Sequence, residues 1–210
     1  MKRSILLRKL HMEGVEFATS EEIKKHCQIL GLNYDTIIRS LLSRGHLLRV
    51  FRGVFYVKSS EEIELATVKH SPLELVARGL ELKGVRNWYF GLHTALKLNN
   101  LTHEHFAVDE VINDKIFRAR PITIAGHEFR FIKVKPSLLS FGIVKEKLRY
   151  SDPEKTILDF IYLWRYNGVP DEKIIMDISE WARGLSNSKM RSYLKWYPTT
   201  VKRIAEKVMR

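Results

Sequence analysis

The stretch from Thr19 to Val57 constrains the fold more than any other part of the chain. It encodes two short capped helices and a hairpin with only tight turns between them. Thr19-Ser20-Glu21-Glu22 sets a hydroxyl three residues ahead of a carboxylate, the capping-box order in which each side chain satisfies a backbone N–H at the helix start. The helix it opens carries Ile23, Cys27 and Leu30 on one face, and Gly31, free to turn left-handed, ends it. Leu32-Asn33-Tyr34-Asp35 turns into another helix with an apolar stripe of Ile37, Ile38, Leu41 and Leu42. Arg44-Gly45-His46 closes it. Two runs rich in β-branched and aromatic residues follow, 47–51 and 54–57, separated only by the two-residue loop Arg52-Gly53. A first helix over 4–11, with Ile5, Leu6 and Leu10 at helical spacing, completes the order. Three helices followed at once by a hairpin predict a winged helix-turn-helix.

In that arrangement the second helix of the pair enters the major groove and shows short polar side chains and Arg to base edges. Thr36, Arg39, Ser40 and Ser43 occupy the polar face of this helix and are the predicted base contacts. Tyr34, Arg44, Arg49, Arg52 and Gly53 are the predicted phosphate and wing contacts, with positive charge where phosphate or the minor groove would lie.

Charge supports a polyanionic partner. Lys and Arg number 36 against 24 Asp and Glu, a net charge of +12. Residues 1–58 carry 11 basic and 5 acidic side chains, residues 59–182 carry 17 and 18, and residues 183–210 carry 8 and 1. The excess therefore falls at the two ends. With 210 residues, 45% of them hydrophobic, the chain can bury a core, which excludes disorder as its main state. Its one cysteine, Cys27, excludes a disulfide scaffold and predicts a buried, inert thiol. No apolar run approaches the roughly 18 residues of a membrane span, and the basic start lacks the apolar core of a signal peptide. A cytoplasmic protein without membrane association is expected.

The middle of the chain reads as α+β. Residues 59–71, from Ser59-Ser60-Glu61-Glu62 onward, read as a linker running into a helix, Ser71-Pro72 starts another, and Trp88-Tyr89-Phe90 is a short buried strand before a helix over 92–98. Strands are expected over 106–112, at 116–117, over 122–125 and over 128–134. Ser151-Asp152-Pro153-Glu154 starts a helix with Ile157, Leu158, Ile161 and Leu163 inward, and Lys155 and Asp159 are expected to pair on its surface. No Gly-rich phosphate loop, His-Glu-x-x-His run or nucleophile elbow occurs. His103 and His105 lack further ligands at metal spacing. The carboxylates Asp109, Glu110 and Asp114, with Glu128 and Lys133, do not have the spacing of a two-metal nuclease. The expectation is no enzyme, no cofactor and no metal.

Three stretches resemble the AbiEi antitoxins of type IV toxin–antitoxin systems. They are the wing, Leu48-Arg49-Val50-Phe51-Arg52-Gly53-Val54-Phe55-Tyr56; the strand and helix from Trp88 to Leu101; and Tyr150-Ser151-Asp152-Pro153-Glu154-Lys155-Thr156-Ile157-Leu158-Asp159-Phe160. Thr94 stands where the family more often has Ser before the Ala-Leu pair. The resemblance spans about residues 15–165. It implies a repressor that binds inverted repeats of double-stranded DNA in its own promoter. It also implies a second domain opposing a nucleotidyltransferase-like toxin, through contact or only genetically.

The last segment carries Lys189, Arg191, Lys195, Lys202 and Arg203 as a possible second basic surface. Val201, Ile204, Ala205 and Val208 form a helical stripe, and Trp181, Trp196 and Tyr197 would anchor it. The expected organisation is a winged helix over 1–58, an α+β antitoxin-type domain over 59–185, and a basic helical segment over 186–210 packed on that domain. The other function class is a winged-helix protein-interaction module or an orphan regulator without a toxin partner. The sequence leaves self-association open.

Overall fold

The computed structural model describes residues 2–209, with side chains from Ile5 onward. The fold is α+β and divides into two compact units. One holds the chain up to Arg86 together with Ile124–Gly126; the other holds Asn87–Thr123 and the chain from His127 onward.

The first unit opens with α1 (Lys2–Met12), β1 (Phe17–Thr19), α2 (Ser20–Ile29) and α3 (Tyr34–Ser43). The hairpin of β2 (Leu47–Phe51) and β3 (Val54–Val57) follows. The order is that of a winged helix. The Thr19–Glu22 box forms as its residues require: the Glu22 carboxylate accepts the Thr19 N–H at 2.7 Å and the Thr19 hydroxyl accepts the Glu22 N–H at 3.3 Å. Asn33 caps α3 by accepting the Thr36 N–H at 3.0 Å. Gly31 and Gly53 take the left-handed φ that the helix end and the hairpin loop need, +62° and +80°.

β1 was not evident in the sequence. It pairs antiparallel with β3, Ala18 against Phe55, and gives a three-stranded sheet in the order β1-β3-β2. Leu6, Leu10, Ile23, Cys27, Ile37, Ile38 and Leu41 from the helices bury against Leu47, Phe55 and Val57 of this sheet. Burial pushes the Cys27 thiol pKa up, and the cysteine is free.

The unit runs past residue 58. α4 (Ser60–Glu64) and α5 (Pro72–Leu82) belong to it, each opened by a serine capping box. α5 lies close on β2 because Gly79 has no side chain: a Cβ there would come within 2.7 Å of Val50 and Phe51.

The rest of the chain has β4 (Trp88–Phe90), α6 (Leu92–Leu98), β5 (Val108–Asn113), β6 (Ile122–Ile124, whose last residue groups with the first unit), β7 (His127–Lys133), β8 (Ile143–Lys145) and β9 (Arg149–Ser151). The sheet order is β6-β7-β5-β4-β9-β8. β5 runs parallel to β7 with Asn113 opposite Lys133, and antiparallel to β4 with Asn113 opposite Trp88. The strand expected at 116–117 is irregular chain instead. The fully buried Asn113 explains why: its amide donates to the carbonyls of Ile116 and Ile132, and its oxygen accepts the Lys115 N–H. These bonds hold the chain in a turn.

Four helices follow, α7 (Pro153–Tyr166), α8 (Asp171–Ile178), α9 (Asn187–Tyr193) and α10 (Thr199–Val208). α7 is the spine. Ile157, Leu158, Phe160 and Ile161 bury with Tyr89 and Ile112 of the sheet, with Ile174 and Ile178 of α8, and with Val201, Ile204 and Ala205 of α10. Asp152, not Ser151, caps α7, accepting the Lys155 N–H at 2.8 Å.

The Lys155–Asp159 pair forms, but in the core rather than on the surface. Lys155 is 0% exposed and its Nζ lies 3.2 Å from Asp159. The tyrosines of β4 and of the segment before α10 complete the cluster: the Tyr89 hydroxyl donates to Asp159 at 2.7 Å and that of Tyr197 at 2.6 Å. Burial and then the Asp159 charge hold both tyrosines well above the usual pKa range.

Candidate nucleic-acid interface

The sequence places Arg39 one turn into α3 and Arg49 and Arg52 on the hairpin; the fold brings all three to one groove. It has a volume of about 830 Å³ and is lined by α2, α3, the hairpin and the end of α5. Arg39, Arg49 and Arg52 are exposed and make no ion pair among the described residues. The Arg39 Nε donates to the Asp35 carbonyl at 3.3 Å, and Arg49 lies over the Phe55 ring at 5.9 Å, which fix their stems without neutralising them.

Lys24 and Lys83 also line the groove and were missed in the sequence. Lys24 stands over the Tyr34 ring at 5.3 Å. Its only sequence signal is its place on α2, next to the buried Ile23 on the side turned from the core. Lys83 has no such signal, because only the close approach of α5 to β2 brings it here. The groove carries two acids against these five cations, Glu21 and Asp35.

Two predicted residues shape the groove more than they charge it. The Tyr34 hydroxyl donates to Ser20 Oγ at 2.9 Å, which fastens the start of α3 to α2. At Gly53 a Cβ would stand 3.1 Å from Ser20 Oγ and 3.9 Å from Lys83 Nζ. Thr36, Ser43 and Arg44 are exposed and Ser40 is half-buried, but none lines the groove. The Ser43 hydroxyl donates to the Ser40 carbonyl at 3.2 Å.

The tail residues are arranged otherwise. Lys189 pairs with Glu154 at 2.8 Å and Asp152 at 3.1 Å. Burial works against its charge, but the hydrogen bonds it donates to Glu154 and Asp152 prevail and hold its pKa above the usual lysine range. Arg203 pairs with Asp171 at 2.8 Å, and Arg191 with Glu206 at 3.4 Å. Lys195 lies over Trp196 at 5.4 Å. Lys202 is half-buried and has no acid partner among the described residues.

Three acids of the middle, Asp109, Glu110 and Asp114, are engaged in hydrogen bonds. Glu110 accepts from the backbone N–H of His93 at 3.0 Å and meets its Nδ1 at 3.1 Å; Asp109 accepts from Thr94, and Asp114 from Asn87.

No protein-family model matches the chain, and no curated protein matches it. Among solved structures, that of the RV2827C protein from Mycobacterium tuberculosis is similar, with a TM-score of 0.64 and 13% identity. The match covers 99% of this chain and 76% of that one. At that identity the likeness concerns the fold. No helix among the described residues is long and apolar enough to cross a membrane.

Proposed function

We propose that the protein is a DNA-binding repressor of its own promoter and the antitoxin of a type IV toxin–antitoxin system, opposing a nucleotidyltransferase-like toxin. The observation that carries the DNA-binding part is the groove between α3 and the hairpin. Five cations from four elements converge there, and among the described residues no acid is paired to the three arginines. A phosphate backbone supplies the missing anions, and α3 presents Thr36, Arg39, Ser40 and Ser43 to base edges. Arg49 and Arg52 on the hairpin, with Arg44 at the helix end, hold phosphates.

The antitoxin part rests on the resemblance to the AbiEi antitoxins in the wing, the β4–α6 stretch and the start of α7. Co-expression with the neighbouring reading frame tests it: growth arrest by that frame alone, relieved by this chain, supports the reading.

The DNA reading is tested by titrating the duplex upstream of the gene, at several salt concentrations, against an unrelated duplex. A clear preference for the upstream duplex with a steep salt slope is expected. Equal, weak binding to both would overturn sequence-specific repression and favour a protein-interaction role for the winged helix.

A further inference from the structure

The near-neutral charge of residues 59–182 conceals a segment that is not neutral. Residues 115–149 hold nine Lys and Arg against two acids, Glu128 and Glu146. Sheet register gathers much of this charge at one end of the second unit. Lys133 ends β7 beside Asn113 of β5, Asn113 faces Trp88 of β4, Phe90 of β4 is in register with Tyr150 of β9, and Lys145 of β8 faces Arg149. Lys133 and Lys145 therefore stand at two corners of the same sheet end, four strand spacings or about 19 Å apart. Arg149 lies between them, over the Trp88 ring at 5.7 Å.

The turn that leaves β5 adds an aromatic group. Phe117 is 68% exposed, in a chain otherwise able to bury its phenylalanines. It is held in place: Asn113 fixes the turn before it, and the Arg118 N–H donates to the Phe131 carbonyl at 3.3 Å just after it. Phe117, Arg118, Arg120, Lys133, Lys135 and Lys145 are all exposed, and none of these five cations has an acid partner among the described residues. Of the acids near this sheet end, Asp114 is engaged by Asn87, which leaves Glu146.

We propose that this sheet end binds single-stranded nucleic acid, with Phe117 stacking one base and the cations along the rim following the phosphates. A duplex hides its base faces, so a fixed, exposed ring amid cations suits a single strand better. The surface is independent of the groove between α3 and the hairpin.

Fluorescence anisotropy of the full chain with labelled 12-mers of deoxythymidine and of uridine tests this, with a duplex of the same length as competitor. Binding of either single strand is expected to fall roughly fivefold to a hundredfold in Phe117→Ala. In the triple variant Arg118→Gln, Lys133→Gln, Lys135→Gln the salt slope should drop by about two. The pair Arg39→Ala, Arg52→Ala should leave single-strand binding unchanged while abolishing duplex preference. Comparable melting temperatures for all variants separate loss of the surface from loss of fold. Wild-type single-strand affinity in Phe117→Ala, or displacement by the duplex as effective as by the single strand, would overturn the proposal. So would loss of single-strand binding in Arg39→Ala, Arg52→Ala.

Discussion

The groove of the first unit and the tail of the second are both rich in cations but differ in what those cations face. In the groove, Arg39, Arg49 and Arg52 stand exposed without an acid partner among the described residues. In the tail, Lys189, Arg191 and Arg203 each meet a carboxylate. All three pairings bridge elements: Lys189 ties α9 to the start of α7, Arg191 ties α9 to α10, and Arg203 ties α10 to the start of α8. A positive count in the sequence is thus a potential for anion binding only where the fold withholds the acids. Where the fold supplies them, the same residues brace one element against another.

Lys155 is the extreme of the second use, and the largest effect is expected there. Lys155→Met removes the one cation that faces Asp159 among the described residues; Asp159 is 2% exposed and its carboxylate sits between two tyrosines. Uncompensated buried charge costs about 3–5 kcal/mol. Chemical denaturation should show a loss of that size, with the upstream duplex still bound under conditions where the variant is folded. Duplex binding that falls in proportion to the dose of folded protein leaves the comparison intact; a specific loss in fully folded protein would break it.

The first unit contains a buried acid in the bracing role. Glu62 is 5% exposed and accepts from the Tyr56 hydroxyl at 2.7 Å and from the backbone N–H groups of Ser59 and Lys69 at 2.8 and 2.7 Å. Burial raises its pKa, but these hydrogen bonds outweigh it and hold the carboxyl at about 2, against an ordinary 4.5. The stability it lends is complete above the unfolded pKa and is lost as pH falls from about 4.5 toward 2. That shift corresponds to about 3 kcal/mol. Glu62→Gln should cost about 2–3 kcal/mol at neutral pH and flatten the acid limb of a pH–stability curve. An unchanged limb would show that the acid sensitivity lies elsewhere.

How much of this was legible depended on the distance over which each feature is determined. The capping box at Thr19, the α3 stripe and the Arg52-Gly53 hairpin are local, and all were readable. β1, β8 and β9 span three residues each, too few to show a period, and none is an all-aromatic run like the equally short β4. The spacing of Lys155 and Asp159 announced a pair but not its burial, because four-residue spacing is the same on any face; α7 is surrounded on most sides, and only its neighbours reveal that. The ion pairs of the tail are not legible locally because their acids lie far away in the chain: Asp171 is 32 residues from Arg203. Lys83 was unreadable for the same reason. A window as wide as 59–182 also averaged away the basic sheet end.

Within the groove the comparison can be sharpened by separating two kinds of cation. Arg39 lies on the helix face that would meet base edges, whereas Arg52 sits at the hairpin loop. Arg39→Ala should weaken the upstream duplex by about 1–3 kcal/mol and leave an unrelated duplex nearly unaffected. Arg52→Ala should weaken both about equally and reduce the salt slope by about one. Salt-dependent titrations of the two variants against both duplexes distinguish these outcomes. Equal losses on both duplexes in Arg39→Ala would move that residue from base reading to phosphate holding.

The smallest expected effect is the one that most directly separates bracing from binding. Arg203 is 61% exposed in its side chain and pairs with Asp171, which also meets Arg165 at 3.1 Å. An exposed pair of this kind contributes about 0–1 kcal/mol, and Arg165 remains to hold Asp171 when Arg203 is gone. Arg203→Ala should therefore lower stability by less than about 1 kcal/mol and leave duplex affinity and its salt slope at wild-type values. If the tail were a second phosphate-contacting surface, the same change would instead spare stability and lower the slope by about one. One denaturation curve and one salt series on this variant decide whether the charge at the end of the chain braces α10 or contacts a polyanion.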